Sequence, residues 1–135
     1  MPACQAVVVS CMDFRLRERL ASVLALRHGI SGFDLICLAG GGKNLAEAGP
    51  VRDVVLDNVE VSLRLHRPGQ IVVVNHQDCG AYGGSAAFAS WEAEREFHRG
   101  ELELAATFVR NAFPGVEVRQ LFVTLEETDS TGAQQ

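Results

Sequence analysis

Two short polar clusters hold the residue types that could do chemistry together, Cys11-Met12-Asp13-Phe14-Arg15 and His76-Gln77-Asp78-Cys79-Gly80. A histidine and a cysteine three apart can close on one metal ion. With four His and four Cys in 135 residues, such a spacing arises by chance about one time in ten, so the pair alone says little. Its position says more. It ends the run Ile71-Val72-Val73-Val74, which reads as a strand buried on both faces and so as part of a parallel sheet. Gly80, Gly83 and Gly84 permit the tight turning that brings Cys79 back toward His76. Cys11 likewise follows an apolar strand, Ala6-Val7-Val8-Val9-Ser10.

Cys11, His76 and Cys79 together make a Cys₂His set. Three protein ligands leave the fourth tetrahedral position open, as catalytic zinc sites do. Two thiolates cancel the charge of the ion, so a bound water is less acidified than at a three-histidine site. Asp13 could orient that water, or could take the fourth position itself. Arg15 opposes the second outcome, because a bidentate guanidinium holds a carboxylate ionised and turned away. Residues two apart do not face each other on a helix, so the Asp13-Arg15 pair needs the turn backbone of a strand-to-helix junction. Two alternatives stay open at this level: redox pairing of Cys11 with Cys79, and Asp13 as a plain helix N-cap beside a solvated Arg15. Cys4 and Cys37 read as lying toward the amino ends or middles of their segments, away from this set.

The elements that must position these clusters follow from periodicity. Leu16, Leu20, Val23 and Leu24 recur at helical spacing, with Gly29 as a C-cap. Residues 33–38 form the next strand, running into the glycine-rich loop Ala39-Gly40-Gly41-Gly42-Lys43-Asn44, which lacks the spacing of a Walker loop. Pro50 opens a helix whose stripe Val51, Val55, Val59 and Leu63 is joined by Val54, Leu56, Val61 and Leu65. Apolar residues on more than one face suggest that the sheet and a partner subunit share this helix. Residues 86–98 read as a helix interrupted at Gly100, then a second helix from Leu102 to Phe113, then a last strand over 116–125. Alternating strands and helices imply an α/β fold: three-layer and Rossmann-like, with a mostly parallel sheet and right-handed crossovers. With strand order 2-1-3-4, the two polar clusters meet beyond the carboxyl ends of the first and third strands, at the switch point where ligands bind.

Residues 1–125 are expected to be one domain and 126–135 a polar tail. The net charge of −5, with twelve scattered Lys and Arg, argues against nucleic acid and against an anionic membrane as partners. No apolar run approaches the roughly eighteen residues a bilayer needs, and the start lacks a signal-peptide pattern, so a cytoplasmic location is expected. There, four cysteines point to metal binding or burial rather than disulfides. His28, His66 and His98 read as solvated surface histidines, and Glu92-Ala93-Glu94-Arg95-Glu96 as a solvated helix face. Lys43 and Asn44 read as loop coating. Phe88, Trp91 and Phe97 are expected in core or subunit contacts, and Asp78 in hydrogen bonds around His76 or Cys79.

The Cys11-x-Asp13-x-Arg15 and His76-x-x-Cys79-Gly80 motifs, in this order and separation, resemble those of the β-class carbonic anhydrases, over a stretch from about Val7 to Leu125. The resemblance implies zinc on Cys11, His76 and Cys79, an Asp13-Arg15 dyad and a Rossmann-like parallel sheet. It implies reversible hydration of carbon dioxide to bicarbonate by zinc-bound hydroxide, in a homodimer or an assembly of dimers. Some features differ from that family. Met12 and Phe14 are bulky where small polar residues are usual, and could narrow the pocket. Cys37-Leu38-Ala39-Gly40-Gly41-Gly42 replaces the usual loop that an arginine enters. Neither a wrapping N-terminal helical arm nor a trailing antiparallel strand is expected. Three functions follow: a zinc lyase acting on carbon dioxide, a zinc hydrolase of a similar molecule such as carbonyl sulfide or carbon disulfide, or a non-enzymatic zinc or redox-responsive module.

Overall fold

The runs at 6–9 and 71–74 are completely buried. In the computed structural model, which describes residues 2–125, they lie side by side at the centre of a four-stranded parallel sheet. Its strands are β1 (Ala6–Ser10), β2 (Phe33–Cys37), β3 (Gln70–His76) and β4 (Glu117–Val123), in the order β2-β1-β3-β4. The helices are α1 (Phe14–His28), the short α2 (Lys43–Ala46), α3 (Pro50–His66) and α4 (Trp91–Ala112). The tail expected at 126–135 lies outside the described residues.

Alternation along the strands builds the three layers. Ala6, Val8, Val72 and Val74 pack with Leu16, Leu20, Val23 and Leu24 of α1. Val7, Val9, Ile71 and Val73 pack on the other side with Val55 and Val59 of α3 and with Leu102, Ala105 and Val109 of α4. Each fully buried valine or leucine contributes about 1.5–3 kcal/mol, so both central strands are anchored from two sides. A strand slip of one residue would exchange these two sets, which fixes the register that delivers Cys11 and His76 to the same edge.

Several expectations need correction. Gly100 does not interrupt a helix: α4 is continuous from Trp91 to Ala112, and a side chain at Gly100 would meet nothing within 4 Å. A helical glycine costs about 1 kcal/mol, less than the burial of the stripe Leu102, Ala105, Ala106 and Val109 returns. The helix also begins at Trp91 rather than 86, after two 3₁₀ turns at Gly80–Tyr82 and Ser85–Ala87. Cys37 is the last residue of β2 and pairs with Ser10, so it stands at the carboxyl ends of the strands, not away from them.

Candidate metal centre

Cys11 follows the end of β1, and His76 is the last residue of β3. Asp78, with φ +58, makes a left-handed turn that a short polar side chain tolerates and that brings Cys79 back. The sulfurs of Cys11 and Cys79 are 3.9 Å apart. Together with a ring nitrogen of His76, they form a group whose ligand atoms all lie within 4.8 Å of one another, with all three residues buried. His76 Nδ1 donates to the backbone carbonyl of Gln77 at 2.7 Å, which leaves the ring lone pair on Nε2. That Nε2 is buried and has no hydrogen-bond partner among the described residues. Leaving such an atom unsatisfied costs about 1–3 kcal/mol, a deficit a metal ion would remove, so the donor set fits one.

The two thiols lie within hydrogen-bond reach of each other, and either can donate. The thiol of Cys11 is pushed well down, first by hydrogen bonding with Cys79; burial opposes this, while the Gly40 N–H, 3.4 Å from the sulfur, assists. The Cys79 thiol is pushed up, first by its bond to Cys11 and then by burial. Two thiolates side by side in this buried setting require a cation beside the pair.

Asp13 caps α1 by accepting from the backbone N–H of Arg15 at 2.9 Å, and the Arg15 guanidinium returns onto the same carboxylate through Nε at 3.1 Å and Nη2 at 2.7 Å. The cap and the ion pair are therefore one structure, made by a turn backbone with Asp13 φ −54 and ψ 126. Arg15's side-chain hydrogen bonds hold the Asp13 carboxyl at about 2. Asp13 Oδ2 stands 4.0 Å from the free His76 Nε2. Arg15 is also held from the other side, donating to Asp78 Oδ2 and to the Asp78 carbonyl, both at 3.0 Å. Asp78 thus serves Arg15, and its role around His76 or Cys79 is indirect. Glu94 is buried, not part of a solvated face: it accepts from the Asp78 N–H at 2.7 Å and from Ser85 Oγ at 2.8 Å.

The glycine loop packs against the two central strands. A Cβ on Gly41, whose φ is +53, would collide with the Val74 carbonyl oxygen and come within 3.1 Å of the Cys11 nitrogen. Gly41→Ala is expected to destabilise the chain by more than about 3 kcal/mol, against near-neutrality for Gly100→Ala. Urea unfolding checks this, and equal midpoints for the two variants would contradict it.

Beneath the loop, Asn75 Oδ1 accepts from the Gly42 N–H at 2.8 Å, while its Nδ2 lies 3.2 Å from Tyr82 Oη and 3.0 Å from His98 Nδ1. His98 is completely buried against Tyr82, Phe97 and Phe122, not solvated at the surface. Burial pushes it down to about 4, with Glu94 partly opposing. The unfolded chain therefore binds a proton here between about pH 6.5 and about 4 that the folded chain refuses, and stability falls as pH falls through that window. Between about pH 7 and about pH 5 the wild type is expected to lose roughly 2 kcal/mol, and His98→Gln much less. Denaturant unfolding at the two pH values measures this; the same loss in both proteins would contradict it.

His66 joins Asp34 near the amino end of β2, and His28 joins Arg119, which stands in register with Val72. Phe14 is exposed and does not narrow the site, whereas Met12 borders it. A cavity of about 150 Å³ opens beside Cys11 and Asp13, lined also by Met12, Leu20, Phe33 and Leu35. Lys43 and Asn44 lie not in a loop but in the short α2, where Lys43 pairs with Glu47 at 2.6 Å and Asn44 donates to the Ala39 and Gly41 carbonyls. Among the described residues no helix is long and apolar enough to cross a membrane.

Comparison with known proteins adds a family and a fold. The family model described as "Putative carbonic anhydrase" matches residues 1–130. An uncharacterized protein of Rickettsia bellii is 26% identical over 125 residues, covering 89% of this chain and 76% of its own length. A carbonic anhydrase from Glaciozyma antarctica superposes with a TM-score of 0.62 at 17% identity, over 93% of this chain and 79% of that one. Isoform I of the β-carbonic anhydrase from Trichomonas vaginalis gives 0.60 at 17% identity, over 94% and 81%. These structural likenesses show the fold.

Proposed function

Because this chain belongs to the putative carbonic anhydrase family, we propose that it catalyses the reversible hydration of carbon dioxide to bicarbonate, with zinc held by Cys11, His76 and Cys79. The observation that carries this reading is the buried, unpartnered Nε2 of His76 beside two buried thiols whose sulfurs lie 3.9 Å apart. When bound, zinc supplies the Lewis acidity that makes water nucleophilic near neutral pH. In the reaction a water gives up a proton, which passes to solvent, its oxygen bonds to the carbon, and one carbon–oxygen π pair moves onto oxygen.

The chain's own groups prepare that step. Asp13 Oδ2, held by Arg15, accepts a hydrogen bond from the attacking water and orients its lone pair. Arg15, itself fixed by Asp78, keeps the carboxylate ionised and out of the donor set. Met12, Leu20, Phe33 and Leu35 give the cavity beside Cys11 and Asp13 a largely apolar wall, interrupted by Arg17 and Cys37, with room for a small linear molecule. Chelation of zinc is expected to abolish carbon dioxide hydration and re-addition to restore it; activity that survives complete removal would overturn the reading.

The proposal extends to a homodimer or an assembly of dimers. On α3 only Val55, Val59 and Ser62 are buried, while Val51, Val54 and Val61 are exposed, as is Leu35 on the edge strand β2. A second copy would cover these residues. Sedimentation at micromolar concentration is expected to give at least twice 14.6 kDa, and a 14.6 kDa species alone would contradict it.

A further inference from the structure

A second group of donors stands at the opposite end of the sheet. Cys4, Asp34 and His66 bring a thiol sulfur, a carboxylate oxygen and a ring nitrogen within 4.8 Å of one another. They come from three segments: the residues ahead of β1, the second position of β2, and the last residue of α3. Cys4 and Cys11 are separated by the whole of β1, roughly 20 Å at about 3.3 Å per residue, so this group has no part in the site described above.

The framework around the donors is fixed. The Cys4 N–H donates to the His66 carbonyl at 3.0 Å, which is presented by a left-handed turn at Arg67, φ 45. The neighbouring Gln5 side chain accepts from the N–H groups of Ser31 at 2.7 Å and Gly32 at 3.0 Å, and donates to the Gly29 carbonyl at 2.9 Å. Asp34 Oδ2 accepts from Ser62 Oγ at 2.6 Å and pairs with His66 Nδ1 at 2.7 Å. The Asp34 and His66 side chains are each about a third exposed, so an ion can enter from solvent.

We propose that Cys4, Asp34 and His66 form a second, non-catalytic binding site for a borderline-soft divalent cation of the zinc type. One thiol, one carboxylate and one imidazole are zinc donors; magnesium and calcium prefer oxygen alone. Entry of the ion replaces the His66–Asp34 hydrogen bond and the one from Cys4 Sγ to the Ala6 carbonyl at 3.3 Å, and releases the Cys4 thiol proton to solvent. It would tie the segment before β1 to the edge strand β2 and the end of α3.

Zinc titration of the full chain against a competing chelator tests this. The wild type is expected to bind two equivalents, Cys4→Ser and His66→Ala one each, with affinity at the altered site reduced by more than about tenfold. Carbon dioxide hydration is expected to be unchanged in Cys4→Ser. Peptide-level alkylation of the wild type gives an independent reading that does not depend on any variant folding: zinc should protect Cys4, and His66→Ala should remove that protection. A single equivalent that Cys4→Ser leaves intact, or Cys4 alkylated equally fast with and without zinc, would overturn the proposal. One equivalent lost in Cys4→Ser yet kept in a Cys11→Ser/Cys79→Ser variant would support it and sink the catalytic reading instead.

Discussion

Cys79→Ser is expected to lose the zinc held beside His76 and to hydrate carbon dioxide at least about a thousandfold more slowly than the loaded wild type, since the Lewis acid goes with the ligand. Cys79 is buried, and its sulfur lies 3.9 Å from that of Cys11. A serine hydroxyl fills the space but does not supply a thiolate, and His76 Nε2 then has no compensation for its burial. The loss should extend to thermal stability, because zinc added to the wild type raises the unfolding temperature through mass action and zinc added to the variant does not. Metal analysis on the purified variant, with the distant Cys4 site removed by Cys4→Ser, reads the effect without interference. Full occupancy in that background would exclude Cys79 as a ligand.

The second large effect is that of Arg15→Ala, for which we expect zinc to remain and activity to fall by about a hundredfold. Removing the guanidinium strips Asp13 of two donors and leaves one backbone N–H on its carboxylate. The freed side chain starts 4.0 Å from His76 Nε2, near enough to swing into the donor set and compete with water. Protonation does not explain the loss. Asp13 is held at about 2 by Arg15, and its rise toward the ordinary 3.8 in the variant still leaves it ionised above about pH 5. The deficit should therefore be largest near pH 6 and shrink toward about pH 9, as hydroxide forms and competes better than water with the displaced carboxylate, a trend that a change in the charge of Asp13 would not produce in that range. Asp78→Asn, which weakens only one side of the clamp, should cost several-fold less. Arg15→Ala with full activity, or without zinc, would contradict this assignment.

The sequence made some of this legible and not the rest, for physical reasons. Two uninterrupted β-branched runs can only be central strands, and polar residues that break such runs fall at strand ends. That is why Cys11, His76 and Cys79 could be brought together from spacing and topology alone. Asp13 and Arg15 were readable because a pair two apart requires the turn that the strand-to-helix junction supplies. The residues missed are polar groups whose partners are distant in the chain. Glu94 sits in the charged stretch Glu92-Ala93-Glu94-Arg95-Glu96, and nothing local reveals that its carboxylate is claimed by the Asp78 N–H and Ser85. His98 is buried because Phe97, Phe122 and Tyr82 close around it and Asn75 satisfies its Nδ1. Periodicity marks His98 only as a polar position on a helix. Gly100 does not break α4 because a glycine on the open face of a long amphipathic helix is outweighed by the stripe beneath it. Cys37 was misplaced because its strand ends at it, and strand ends are the least certain part of a reading from apolar runs.

The most direct test of zinc-dependent hydration is the exchange of a heavy-oxygen label from carbon dioxide into water, followed by mass spectrometry on the zinc-loaded wild type. Label loss at chemical equilibrium requires hydration and dehydration at the same site. Depletion is expected to exceed the uncatalysed rate in proportion to protein concentration, to grow from near neutral toward about pH 9, and to vanish in Cys79→Ser. Depletion at the uncatalysed rate throughout that range, with zinc fully bound, would contradict the account.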